Sequence, residues 1–342
     1  LLMRSSRRRV PGSSRLARGR WCRAEGFREA GWRSWIPLTV HADDGCCETA
    51  PARVLVTVSE TIDRVVERFA GADLVFGHGF ESAWDEAVAL VLHVAGLPDD
   101  RSILHMVLTE PQVREVELLA SRRIEERVPL AYLIGVAPFA GHKFLVEPGV
   151  VIPRSPIGQL IKQHFAPWLS RAPARAVDVC CGSGCIGIAM ALEFPRLNVD
   201  LVDLDPLAVA VAERNVDMHD LGDRVRVVRS DLFAELDVPV WDLIVSNPPY
   251  VDHVDLGSLP PEYGHEPSLG LDGGGQGLDV VSRLIEALPT RLAPDGLFVC
   301  EVGASAPALL RRYPRLPFIW PDLAEGGEGV FVLTGRSLSD RY

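Results

Sequence analysis

The 342-residue sequence predicts a doubly wound α/β domain preceded by a small helical domain. Three observations carry this. From residue 175 onward, short apolar runs alternate with helical stretches, the pattern of a parallel sheet covered on both faces. A glycine-rich turn, Gly182-Ser183-Gly184-Cys185-Ile186-Gly187, joins the first apolar run to the first of those helices. Between about residues 57 and 127 the periodicity is helical.

The chain begins differently. Residues 1–52 are rich in Arg, Ser and Gly, with scattered Trp and no steady period, which reads as a disordered or non-native extension. Met3 nearby fits upstream sequence translated by mistake; a basic transit peptide and a nucleic-acid-binding arm are the other readings. Deleting residues 1–50 is expected to leave folding and activity unchanged, which a melting curve and a rate measurement would check.

Residues 53–135 read as a helical substrate-recognition domain. Ile62, Val65, Val66 and Phe69 fall at i, i+3, i+4 and i+7. Ser82 with Asp85 resembles a capping box opening a second helix, whose Trp84, Val88, Val91, Leu92 and Ala95 are expected to share a face. Thr109 with Gln112 caps a third helix that ends before Pro129. Residues 136–156 read as a hairpin bridge ending in a rigid linker, Pro153-Arg154-Ser155-Pro156.

Residues 157–342 form the α/β domain. Strands are expected at 176–179, 199–203, 225–228, 240–246 and 297–302, with helices at 186–193, 206–218 and near 278–290. Pro206 sits where a first helical turn tolerates it.

Composition narrows the function. Net charge is −11, yet residues 1–35 hold ten Arg against two Glu, leaving about −19 on the other 307. So acidic a body matches a nucleic-acid backbone poorly and a basic protein partner better. No run approaches the roughly 20 apolar residues of a membrane span. Seven cysteines without a secretory signal suggest a reduced, cytoplasmic protein, and none has zinc-ligand spacing. No metal site is expected.

Chemistry concentrates at strand ends, where ligands sit in open α/β sheets. The glycine turn matches the dinucleotide fingerprint, with Asp203 nineteen residues past Gly184, so nicotinamide binding competes. Asp178, just before the turn, argues against a pyrophosphate, because its carboxylate would repel phosphate. It suits S-adenosylmethionine, which carries an ammonium, a sulfonium and a ribose. Gly182, Ser183 and Gly184 let backbone approach closely, and Asp203 accepts from the ribose hydroxyls. Asp231 is placed for the adenine amino group, with Leu232 or Phe233 covering the ring.

The fourth strand end carries Ser246-Asn247-Pro248-Pro249-Tyr250. Two prolines stop pairing and stiffen the loop, and Asn247 is pushed towards extended geometry. Its side-chain oxygen and a neighbouring carbonyl can accept both hydrogens of a planar amino group, on which Tyr250 can stack. The plain alternative is a strand-ending turn.

The glycine loop, Asp203, Asp231 and Asn247-Pro248-Pro249-Tyr250 resemble the protein-glutamine methyltransferase family, close relatives of which modify adenine amino groups in DNA. Pro153-Arg154-Ser155-Pro156-Ile157-Gly158, Tyr263-Gly264-His265-Glu266-Pro267, Gly77-His78-Gly79 and Trp84-Asp85-Glu86-Ala87 resemble the branch acting on ribosomal protein L-three. The release-factor branch has Arg-Pro-Asp-Thr-Glu at the linker. The resemblance spans about residues 54–335 and implies a Rossmann-like, class I S-adenosylmethionine-dependent methyltransferase. It implies Asn247, Pro248, Pro249 and Tyr250 as catalytic, with Asp178, Gly182, Ser183, Gly184, Asp203, Asp231, Leu232 and Asn247 binding cofactor. Its implied substrate is a glutamine of ribosomal protein L-three, with no stable nucleic-acid or membrane partner. A release-factor or adenine-amino methyltransferase would share the site; a nicotinamide oxidoreductase or an assembly factor that only binds cofactor would not need Asn247. Glu301 reads either as a site-wall acid or as a buried partner, and His142 and His265 as structural or rim residues.

Overall fold

The computed structural model describes residues 56–237 and 239–339; the expected extension over 1–52, and its deletion, fall outside them. Helix α1 (Val58–Ala70) starts where Thr57 and Glu60 close a capping box, and it buries Ile62, Val65 and Phe69. Helix α2 (Ala83–Ala95) starts at Ser82, whose hydroxyl accepts from the Asp85 N–H, and ends at a left-handed Gly96. Helix α3 (Glu110–Glu125) starts at the Thr109–Gln112 capping box. With the short α4 (Leu130–Ile134) these helices enclose a core around Phe69, Leu90, Val116 and Leu130.

The expected face of α2 holds in part: Val91 is buried and Val88, Leu92 and Ala95 pack against the core. The helix turns Glu86, Ala87, Leu90 and Val91 inward and leaves Trp84 40% exposed. A buried ion pair causes this: Arg123 of α3 donates from Nε to Glu86 Oε2 at 2.8 Å, and both side chains are fully buried. Apolar periodicity cannot foresee a charge that faces inward because its partner waits there.

Strands β1 (Val136–Phe139) and β2 (His142–Leu145) pair as the expected hairpin, followed by α5 (Ile157–Lys162). The main sheet is built from β3 (Arg175–Val179), β4 (Asn198–Asp203), β5 (Val225–Arg229), β6 (Trp241–Ser246), β7 (Leu292–Glu301) and β8 (Val330–Thr334). Between them run α6 (Cys185–Glu193), α7 (Pro206–Met218), α8 (Asp279–Arg291) and α9 (Ala306–Arg312), and α10 (Gly335–Ser339) follows. Asp205 caps α7 by accepting from the Leu207 N–H, with Pro206 in the first turn.

The order is β5-β4-β3-β6-β7-β8. Five strands are parallel, but β8 runs antiparallel to β7, so the expected parallel sheet is mixed at one edge. An apolar run buried on both faces carries no mark of direction. Side chains alternate between two cores: Leu243, Val245, Leu297 and Val299 face one way, Val177, Ile244 and Phe298 the other. The strand order reverses between β3 and β6, which opens a crevice at their carboxyl ends. Among the described residues, no helix is long and apolar enough to cross a membrane.

Candidate active site

A cavity of about 690 Å³ occupies that crevice, within the size range of small-molecule sites. One wall is the turn after β3. Cys180, Gly182 and Gly184 all have positive φ (62°, 55° and 79°), so the chain reverses tightly before entering α6. Gly187 has no side chain because α6 lies against the sheet there: a Cβ would stand 2.1 Å from Leu201 Cδ2. Gly184 is likewise a packing position, with Leu201 Cδ1 2.9 Å from where its Cβ would be. From behind, the buried Asn215 of α7 donates to the Ser183 carbonyl at 2.9 Å and bonds both polar backbone groups of Leu145. The hairpin is thereby tied to the turn.

Gly182, Ser183, Asp203, Asp231, Leu232, Asn247, Pro248, Pro249 and Tyr250 all line the cavity; Asp178 and Gly184 do not. Asp178 is fully buried behind the wall, where its Oδ2 accepts from the Gly187 N–H at 2.9 Å and its Oδ1 has no partner among the described residues. Its expected place beside a ligand is therefore corrected to a place beneath the turn. Burial pushes its carboxyl from 3.8 up to about 7, opposed by the Gly187 hydrogen bond and assisted by the Asp203 charge. The folded protein then holds a proton that the unfolded chain has released between about pH 4 and pH 7. Stability should fall as pH rises through that window. Asp178→Asn should flatten that slope, as followed by thermal melts across the range.

Asp203 ends β4 with both oxygens engaged: Oδ2 accepts from Gly182 N–H at 2.8 Å and Oδ1 from Asp205 N–H at 3.0 Å. Burial raises its pKa. A carboxylate oxygen has two lone pairs, so each retains one for a ligand. Asp231 is half exposed and held by Arg283 of α8, whose Nη2 lies 2.9 and 2.8 Å from its two oxygens. Arg283 also lines the cavity, and no motif had marked it.

At the end of β6, Ser246 donates to the Val179 carbonyl at 2.6 Å, locking the two strand ends across the crevice. Asn247 Oδ1 is buried and has no partner among the described residues. The loop beyond is packed by glycines: a Cβ on Gly273 would meet the Pro249 carbonyl at 2.8 Å, and one on Gly277 the Tyr250 carbonyl at 2.0 Å. Tyr250 donates its hydroxyl to Glu301 Oε1 at 2.6 Å, and burial first, then Glu301, raises its pKa. Glu301 lies behind the wall, so the partner reading applies to it.

Two stretches that sequence reading treated as linker and family signature face each other here. Arg154 forms a paired bridge to the buried Glu266, Nη1 to Oε1 at 2.6 Å and Nη2 to Oε2 at 2.7 Å, and sits over the Tyr263 ring. Glu266 also accepts from the Ile152 N–H. Pro153, Arg154 and Ser155 line the cavity, so the presumed linker is site wall. His265 Nε2 lies 3.0 Å from the Glu126 carbonyl and His142 packs near His219; neither lines the cavity.

A doubly wound sheet with its polar residues gathered at a switch-point crevice defines a Rossmann-like enzyme domain. Residues 159–258 match the methyltransferase small domain family. The ribosomal protein uL3 glutamine methyltransferase of Bordetella pertussis is 42% identical over 83% of this chain and 97% of its own length. That of Francisella tularensis is 42% identical over 82% and 90%. The chain belongs to the uL3 glutamine methyltransferase family. A solved methyltransferase from Pyrococcus furiosus aligns at 17% identity over 65% of this chain and 98% of its own, with a TM-score of 0.41.

Proposed function

We propose that this chain transfers a methyl group from S-adenosylmethionine to the side-chain amide nitrogen of a glutamine in ribosomal protein uL3. The observation that carries this reading is the buried Asn247 Oδ1 at the end of β6, which has no partner among the described residues. A buried acceptor left unmade costs about 1–3 kcal/mol, and the NH₂ of a bound amide would satisfy it.

The remaining wall fits S-adenosylmethionine. The turn at Gly182 exposes backbone to a close ligand, Asp203 retains lone pairs for two ribose hydroxyls, and Asp231 with Leu232 suits an adenine edge and face. When bound, this cofactor supplies an electrophilic methyl group on a positively charged sulfur. An amide nitrogen is a weak nucleophile, since its lone pair is delocalised into the carbonyl. Asn247 Oδ1 and the Pro248 carbonyl would accept its two hydrogens, raising electron density on nitrogen and aiming the lone pair. Both acceptors strengthen their hold as positive charge develops on nitrogen, which favours the transition state over the ground state. Orientation supplies a further share of the rate. The proton lost after transfer is acidic enough to pass to solvent, so no histidine is required.

In this reading residues 53–135 recognise substrate, 136–156 bridge, and 157–342 carry the chemistry, in a cytoplasmic enzyme whose acidic body suits a basic ribosomal protein. The test is to incubate the purified chain with methyl-labelled S-adenosylmethionine and candidate acceptors, then map the label by mass spectrometry. Label on a uL3 glutamine is expected; label on a release factor or nucleic acid alone would overturn the assignment.

Asp203→Ala should weaken cofactor binding by about 1.5–3 kcal/mol, the loss expected for charged hydrogen-bond acceptors, or about 10- to 150-fold in Kd. Calorimetry would measure it, and binding of nicotinamide dinucleotides instead of S-adenosylmethionine would sink the cofactor assignment.

A further inference from the structure

Tyr250 is held at three points. Its main-chain carbonyl accepts from the Ser305 hydroxyl at 2.8 Å. Its ring lies over Gly303, where a Cβ would come within 2.6 Å of Cε2. Its hydroxyl donates to Glu301 Oε1 at 2.6 Å. The other Glu301 oxygen, Oε2, accepts from the Ser155 hydroxyl at 2.6 Å. Ser155 belongs to the opposite stretch of wall, where its Oγ also accepts from the Ile157 N–H at 3.2 Å. Tyr250 and Ser155 both line the cavity, whereas Glu301, at the carboxyl end of β7, is buried behind them.

From this arrangement we infer that Glu301 is a positioning residue: one carboxylate clamps Tyr250 to Ser155 and so sets the distance between two walls of the acceptor site. The inference rests on the proposed methyl transfer to glutamine, in which Tyr250 stacks on the acceptor amide. Both hydroxyls donate to one buried carboxyl group, whose pKa burial raises against the pull of these two hydrogen bonds, and among the described residues neither hydroxyl has another acceptor to turn to. The four-atom reach of a glutamate spans the two walls, and an aspartate is one methylene short. Glutamine keeps the span: its carbonyl oxygen accepts from Tyr250 and its NH₂ donates to a rotated Ser155 hydroxyl. Alanine releases both walls.

The test has a catalytic arm and a spectroscopic one. Glu301→Ala should lower kcat on a uL3 peptide roughly 10- to 100-fold, the scale of a misplaced reacting group, with cofactor Kd unchanged. Glu301→Gln should recover most of that loss. Because Glu301 acts through Tyr250, the double variant Glu301→Ala/Tyr250→Phe should be no slower than the worse single variant. In protein labelled with ¹³C at tyrosine Cζ, the Tyr250 resonance, assigned by its absence in Tyr250→Phe, should shift in Glu301→Ala. Additive losses in the double variant would overturn the clamp. So would weaker cofactor binding at unchanged kcat, or an unmoved Tyr250 resonance. If the parent enzyme methylates no uL3 glutamine, the proposed function fails by itself, and the Tyr250 resonance still decides whether the clamp exists.

Discussion

Asn247→Ala is expected to lower turnover on uL3 by roughly 10²–10³-fold, the cost of removing one preorganised polar group from a site of developing charge. Cofactor affinity should stay nearly intact. Asn247 Oδ1 is buried without a partner among the described residues, so its removal strands no donor of the resting protein. The loss then appears when the acceptor amide needs two acceptors and finds one. Asn247→Asp is the subtler variant. Its carboxylate still accepts from both amide hydrogens, and partial activity should survive. Single-turnover rates with a peptide bearing the target glutamine separate the two cases. Near-wild-type transfer by Asn247→Ala would mean that the prolines and Asn247 form only a turn.

The second large effect is on stability. Arg123→Ala should cost about 3–5 kcal/mol, the penalty for breaking a buried ion pair and stranding its partners. For a unit of this size that is a fall in Tm of roughly 10 °C. Arg123 is fully buried, and it donates to Glu86 Oε2 at 2.8 Å, to Glu262 Oε1 at 3.2 Å and to the Val75 carbonyl at 2.8 Å. Burial favours the neutral form of both acids. In Glu86 burial prevails and the pKa is raised. In Glu262 the bonds from Arg127, Val75 N–H and Arg123 outweigh burial and hold it down to about 2. Without Arg123, Glu86 has no side-chain partner among the described residues. Glu262 keeps Arg127, which donates from Nε at 2.8 Å and Nη2 at 3.0 Å. The damage should therefore centre on the packing of α2 against α3. Differential scanning calorimetry measures the shift, and a loss under about 1 kcal/mol would show that the site relaxes around water.

Glu262 also links two parts of the molecule that sequence reading kept separate. It lies in the segment between the Asn247–Tyr250 loop and α8, yet its partners Val75, Arg123 and Arg127 belong to the helical layer. Four residues further on, Glu266 binds Arg154 beside the cavity. The stretch from Glu262 to Glu266, which overlaps the family-like Tyr263–Pro267, is thus a strut between helices and site. Its motif was visible; its work was not.

What the sequence by itself determined is local. Capping boxes at Thr57 and Thr109, a left-handed glycine turn at Gly182 and Gly184, and a proline-stiffened strand end at Asn247 follow from backbone rules that act over three or four residues. Those rules place Asp203, Asp231 and Asn247 on one cavity because strand ends in a parallel sheet meet on one edge. What only the tertiary structure decided is orientation and distant pairing. Asp203 closes β4, whereas Asp178 pairs with Leu201 and so lies two residues deeper in register, beneath the start of α6 instead of at the crevice. The direction of β8, the inward face of α2, the Asp231–Arg283 pair and the bridge from Ser155 through Glu301 to Tyr250 depend on partners 37 to 146 residues apart or on neighbouring strands. No periodicity records such a partner, since burial makes it favourable only after the chain has folded around both.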